Sequence, residues 1–180
     1  MKKLLVLSAL CLSVPMLGIA LAEKDEMGFV RISPGQEQYK SPFGIGPASA
    51  VLYGDPTKPG IYVIRIHWPK NMMSRPHTHA QDRHVVVLSG TWYTGTGKAF
   101  EPEKSVPLKS GGYMMHPAGA VHWDGTREDE AVIQITGIGP VSTDLVDPKV
   151  PTSRSNEGYA AALGPQPLLR LNQRAEPEER

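Results

Sequence analysis

Residues 61–68 alternate in polarity. Tyr62, Ile64, Ile66 and Trp68 fall on one side of an extended chain, Arg65 and His67 on the other. That is the period of a strand with one buried face. Residues 84–88 are rich in β-branched side chains and end at Ser89-Gly90, and residues 91–94 resume the run. This predicts extended chain on both sides of a hairpin or sharp bend at Gly90. Shorter candidates lie at 29–32, 49–53, 113–116 and 131–136, the last closed by Gly137. Residues 95–110, with Gly, Pro and charges, read as a loop. Short strands, glycine and proline turns and little helical periodicity predict an all-β sandwich or barrel. One short helix is expected near 159–163, and the chain from about Gln173 is expected to be disordered.

The N-terminus follows a different pattern. Lys2 and Lys3 precede a mostly apolar stretch, 4–21, which ends in Ala20-Leu21-Ala22. A positive start, an apolar centre and a small-x-small site make a secretory signal peptide. Pro15 and Gly18 interrupt the run and argue against a retained anchor. The expected organisation is therefore a signal peptide over 1–22, an N-terminal extension with one or two strands over 23–55, a β-barrel over 56–140 and a tail over 141–180. The expected destination is the periplasm or the outside medium.

Composition narrows the chemistry. The chain has 180 residues and a formal charge of +1, which becomes −1 once Lys2 and Lys3 leave with the signal. No basic stripe marks a nucleic-acid surface. Beyond residue 22 no apolar run is long enough to span a bilayer. The single cysteine, Cys11, lies inside the signal, and Leu10 occupies the place where a lipidation site favours a small residue. The mature chain thus carries no thiol, and a metal would have to sit on nitrogen and oxygen.

The histidines supply the nitrogen. Of the six, at 67, 77, 79, 84, 116 and 122, all but His67 fall in two compact segments. In extended chain, residues two apart point to the same side, so His77 and His79 can aim at one point. Neutral imidazole is a preferred ligand of iron, zinc and nickel. Pro117-Ala118-Gly119 is a tight turn that sets His122 at the start of a returning strand, where it would complete a three-nitrogen site.

These two segments resemble the paired motifs of the cupins. The second cupin motif is matched at Gly111, Pro117, Gly119 and His122, the first at His77, His79 and Gly90, over roughly residues 60–137. The resemblance implies an all-β fold: a double-stranded β-helix, or jelly-roll barrel, with an irregular N-terminal segment and a flexible C-terminal tail. It also implies one divalent metal (iron, zinc, manganese or nickel) inside the barrel. Three positions depart from the family. Asn71 stands for the leading glycine, Thr126 for the final asparagine, and Arg83 for the glutamate ligand. A cation would repel the metal, so Arg83 is not expected to bind it. A one-residue slip or bulge would instead bring in His84 as a fourth ligand, and three- and four-histidine sites both remain open. Gln81 shares the parity of His77 and is a weaker neutral candidate.

A site without the carboxylate is more positive and should favour anions. Arg83 could then pair with a substrate carboxylate. Arg65, His67 and Gln134 are further pocket candidates, His116 is expected on the rim, and Trp92, Tyr93, Met114, Met115 and Trp123 read as core or pocket wall. Three functions compete, because one fold hosts many: a small-molecule metalloenzyme of dioxygenase, isomerase or lyase type, a non-catalytic periplasmic protein that binds a metal or small molecule, and an interaction module or homodimer. A site with exchangeable coordination positions would favour the first, and a saturated four-histidine site the second.

Overall fold

The computed structural model describes residues 24–41 and 46–149 and the backbone of residues 153–155. The signal segment and the candidate helix at 159–163 lie outside the described residues. The strands are β1 (Ala48–Tyr53), β2 (Gly60–Trp68), β3 (Met72–Ser74), β4 (His77–Thr78), β5 (Arg83–Thr96), β6 (Val106–Lys109), β7 (Tyr113–His116), β8 (His122–Gly125), β9 (Ala131–Gly139), β10 (Asp144–Leu145) and β11 (Ser153–Ser155). Among the described residues no helix is long and apolar enough to cross a membrane. Apart from one 3-10 turn, Pro102–Lys104, the described elements are strands, and every pairing between them is antiparallel. The result is the jelly-roll architecture that the cupin resemblance implies.

The sheet curls around the long strand β5. Its first half pairs with β9 and β7, and its second half with β8 and β6. Gly90 does not begin a hairpin. The strand runs through it, with a register shift between Val87 and Ser89. Val85 and Val87 point inward before that bulge, Trp92 and Thr94 after it. One extra residue has moved the inward set from odd to even positions, as a bulge must when side chains alternate with period two. Gly90 itself has φ 74°, and a Cβ there would meet the Glu130 carbonyl oxygen at 2.0 Å. Only glycine turns this corner.

The core lies on the inner face. Tyr62, Val85, Val87, Trp92, Ala131, Ile133 and Ile135 are buried there with Trp68 and Met72, and Ile64, Ile66, Leu108 and Met114 pack against them. The inward face of 61–68 is the one its alternation predicts. Two regions differ from expectation. The loop at 95–110 contains β6, which its polar composition hides. Past residue 140, β10 and β11 pair with β4 and β3, so sheet pairing continues into the segment whose pattern fades.

Two departures from the cupin motifs find structural uses. Asn71 takes φ 58°, the left-handed conformation that asparagine tolerates better than most residues. Thr126, 1% exposed, donates through Oγ1 to the Pro69 carbonyl and contacts the Met72 amide at 3.3 Å, fastening the end of β8 to the start of β3.

Candidate metal centre

β4 and β8 are neighbours, and their register sets His77 opposite His122. The two ring centroids are 4.4 Å apart. His79, just beyond β4, adds a third ring at 4.8 Å from His77 and 5.0 Å from His122. All three side chains are buried, and each has a nitrogen within 4.8 Å of the others'.

Backbone carbonyls orient the three rings. Nδ1 lies 2.6 Å from the Arg75 oxygen in His77, 2.7 Å from the Ser142 oxygen in His79 and 3.1 Å from the Ala120 oxygen in His122. A carbonyl only accepts, so Nδ1 carries the proton in each ring and the Nε2 lone pair is left for the centre. In His122 that Nε2 is buried without a hydrogen-bond partner. Burial, reinforced by the nearby Arg83 charge, pulls the His79 pKa down to about 3. Burial also lowers that of His122, with partial compensation from Asp124. Three buried imidazoles anchored through Nδ1, with the His122 Nε2 without a hydrogen-bond partner, form a donor set that fits a divalent transition metal.

Two more groups line the cluster. His116, expected on the rim, is 2% exposed. It ends β7 on the same inward parity as Met114, its ring centroid lies 3.8 Å from that of His122 and 5.8 Å from that of Trp92, and neither ring nitrogen has a partner. Burial, then the His122 and Arg83 charges, hold its pKa near about 2. Asp124, which sequence reasoning passed over, is buried two residues after His122. Its Oδ2 is 3.7 Å from His122 Nε2, and Ser74 Oγ lies 2.9 Å from its amide. Period two along β8 is the signal that could have found it. His116, His122 and Asp124 make a second set with metal-ligand spacing.

Arg83 also faces inward, directly across the β5–β7 pair from His116. It is 7% exposed, and its Nη1 sits 2.6 Å from His79 Nε2. Desolvation lowers its pKa, offset in part by Tyr62 and Asp124.

The remaining candidates are elsewhere. His84 is exposed on the outer face of β5, where its Nδ1 meets the Tyr113 hydroxyl at 2.8 Å. The bulge that would have turned it inward occurs further along, after Val87, so His84 does not join the three histidines. Gln81 is exposed as well. Arg65, His67 and Gln134 lie on the outer face of β2 and β9, away from the core. Arg65 donates to Gln134 Oε1 at 3.2 Å and pairs with Glu37, while His67 meets Glu130 at 3.1 Å. Arg65 thereby ties the sheet to the N-terminal segment, and all three lie outside the three-histidine cluster. Trp92 and Trp123 are core, and Tyr93 stacks under Arg127.

The sequence profile of DUF4437, a domain of unknown function, matches residues 37–143. No curated protein matches the chain in sequence. Among solved structures, the polyketide cyclase RemF from Streptomyces resistomycificus superposes with a TM-score of 0.54 at 14% identity, over 66% of this chain and 86% of that one. The DMSP lyase DddQ from Ruegeria pomeroyi DSS-3 gives 0.51 at 16% identity, over 67% and 62%. An RmlC-like cupin from Shewanella frigidimarina gives 0.48 at 14%, over 59% and 87%. At these identities the likeness is one of fold.

Proposed function

The chain belongs to the DUF4437 family, and we propose that it is an exported metalloprotein that binds one divalent transition metal on His77, His79 and His122 and acts on a small molecule. The observation that carries this reading is the orientation of the three rings. Each Nδ1 is held by a backbone carbonyl, which leaves Nε2 as the free donor of each ring, and each ring brings a nitrogen within 4.8 Å of the others'. Surface histidines have no need of such bracing, whereas ligand histidines have it as a rule. Three protein ligands leave coordination positions for water or substrate, the general requirement of a catalytic metal site. Iron, zinc, manganese and nickel all suit the donor set. The metal would supply Lewis acidity or, as iron, oxygen chemistry of the dioxygenase type. The chain's part is to orient the imidazoles, exclude bulk water and, by burial, hold the pKa values of His79 and His122 below that of a free histidine. Export rests on Lys2, Lys3, the apolar run 4–21 and Ala20-Leu21-Ala22.

Elemental analysis of the purified protein, beside a His77→Ala/His122→Ala variant, tests the reading. About one equivalent of metal in the first and none in the second is expected. Absence of metal from both, after reconstitution with each of the four ions, would overturn it. The buried His116 favours a second reading, a binding protein without turnover. If His116 is also a ligand, fewer positions stay open, and water-exchange relaxation on the manganese form would show no exchanging water.

A further inference from the structure

Arg83 stands where the cupin pattern has a carboxylate ligand, and its surroundings are unusual for a buried cation. Among the described residues no carboxylate forms an ion pair with it. Its Nε is buried without a hydrogen-bond partner. Its Nη1 lies instead against the His79 ring, 2.6 Å from Nε2 and 3.0 Å from Nδ1. A donor that close to both nitrogens stands over the ring face, beside the in-plane Nε2 lone pair and not along it. A divalent ion on the three histidines would also stand close to a guanidinium charge inside a buried cluster where Asp124 is the only carboxylate among the described residues. Directly across from Arg83, His116 is buried with both ring nitrogens unpartnered. A neutral imidazole of this kind has one donor and one acceptor to offer a ligand.

We propose that the Arg83 charge competes with a metal ion at His79, and that a small organic carboxylate, taken up by the Arg83 guanidinium beside His116, neutralises that charge so that metal and carboxylate bind together. The proposal rests on the three-histidine reading and names the ligand class for it. A planar carboxylate matches the planar guanidinium fork with two parallel hydrogen bonds. It also supplies the negative charge that the missing glutamate withholds. Arg83 is a positioning and recognition residue in this scheme, not a metal ligand.

Calorimetric titration of zinc into the purified, chelator-stripped protein provides the test, run at constant ionic strength with acetate, with neutral acetamide and with tetrahedral sulfate. Acetate should tighten zinc binding to the wild type, and acetamide should not. Arg83→Gln should bind zinc about tenfold more tightly than wild type without acetate, and should lose the acetate effect. Arg83→Met repeats the comparison should the glutamine variant fail to fold. Zinc affinity unchanged or weakened in these variants, or an acetate effect that survives in them, would overturn the competition. An equal or larger effect of sulfate would overturn the assignment to carboxylates. If neither wild type nor the Arg83 variants bind zinc, the metal reading itself fails. A wild type that binds zinc indifferently to acetate and to Arg83 sinks only the present inference.

Discussion

His77 and His122 face each other across the β4–β8 pair, with ring centroids 4.4 Å apart, although 45 positions separate them in the chain. The pairing joins the two sequence motifs into one site. It also gives His122 a special place, because His122 belongs to both sets of groups with ligand spacing. Its replacement by alanine should therefore abolish metal binding whichever set is used. His116→Ala should abolish it only if the second set holds the ion. Metal content of the two single variants, compared after reconstitution, decides between the sets.

Outward-facing candidates should be silent. His84→Ala, His67→Ala and Arg65→Ala are each expected to keep the wild-type metal stoichiometry, because these side chains lie on the outer face of the sheet. Loss of metal from the His84 variant would show that β5 turns the other way in solution.

The metal-free protein should weaken in mild acid. In the fold His79 and His116 have pKa values of about 3 and about 2, against 6.5 for an unperturbed histidine. Both folded values are depressed, so the unfolded chain takes up the protons first. The contribution is complete above about pH 6.5 and is lost as pH falls toward 3, by about 1.4 kcal/mol per pH unit for each ring. Urea unfolding of chelated protein at pH 7, 6 and 5 reads this slope. Replacing His116 with Gln should reduce it, and a profile that stays level would contradict the burial of these rings as neutral imidazoles.

The corner in β5 should be sensitive to a single methyl group. Gly90→Ala places Cβ 2.0 Å from the Glu130 carbonyl oxygen at a residue with φ 74°, and should cost about 2 kcal/mol or more. For scale, Ile133→Ala in the core should cost about 3 kcal/mol. Equilibrium denaturation of both variants checks the pair. A neutral Gly90→Ala would mean that the bend relaxes, and the inward parity after it would then be open to change.

Strand positions were legible wherever one face is buried, as in 61–68 and 131–136, because alternation records burial locally. Residues 106–109 were not, because that strand is edge-like and half exposed, and its Pro107 and Lys109 look like loop. Among the histidines, 77, 79 and 122 could be read from spacing and from the Pro117–Gly119 turn. His84 and His116 could not. Their directions depend on where β5 bulges and on which strand covers β7, and neither leaves a mark in the residues nearby.

The sequence alone determined an all-β chain with two histidine segments, since period two, turn residues and motif spacing are local properties that any pairing must respect. Tertiary structure alone decided the rest: that His77 meets His122, that His116 and Asp124 lie inside, that Arg65, His67 and Gln134 lie outside, and that Arg83 rests against His79. Each of these is settled by register between strands far apart in the chain. A shift of one residue in that register reverses every side chain along the strand.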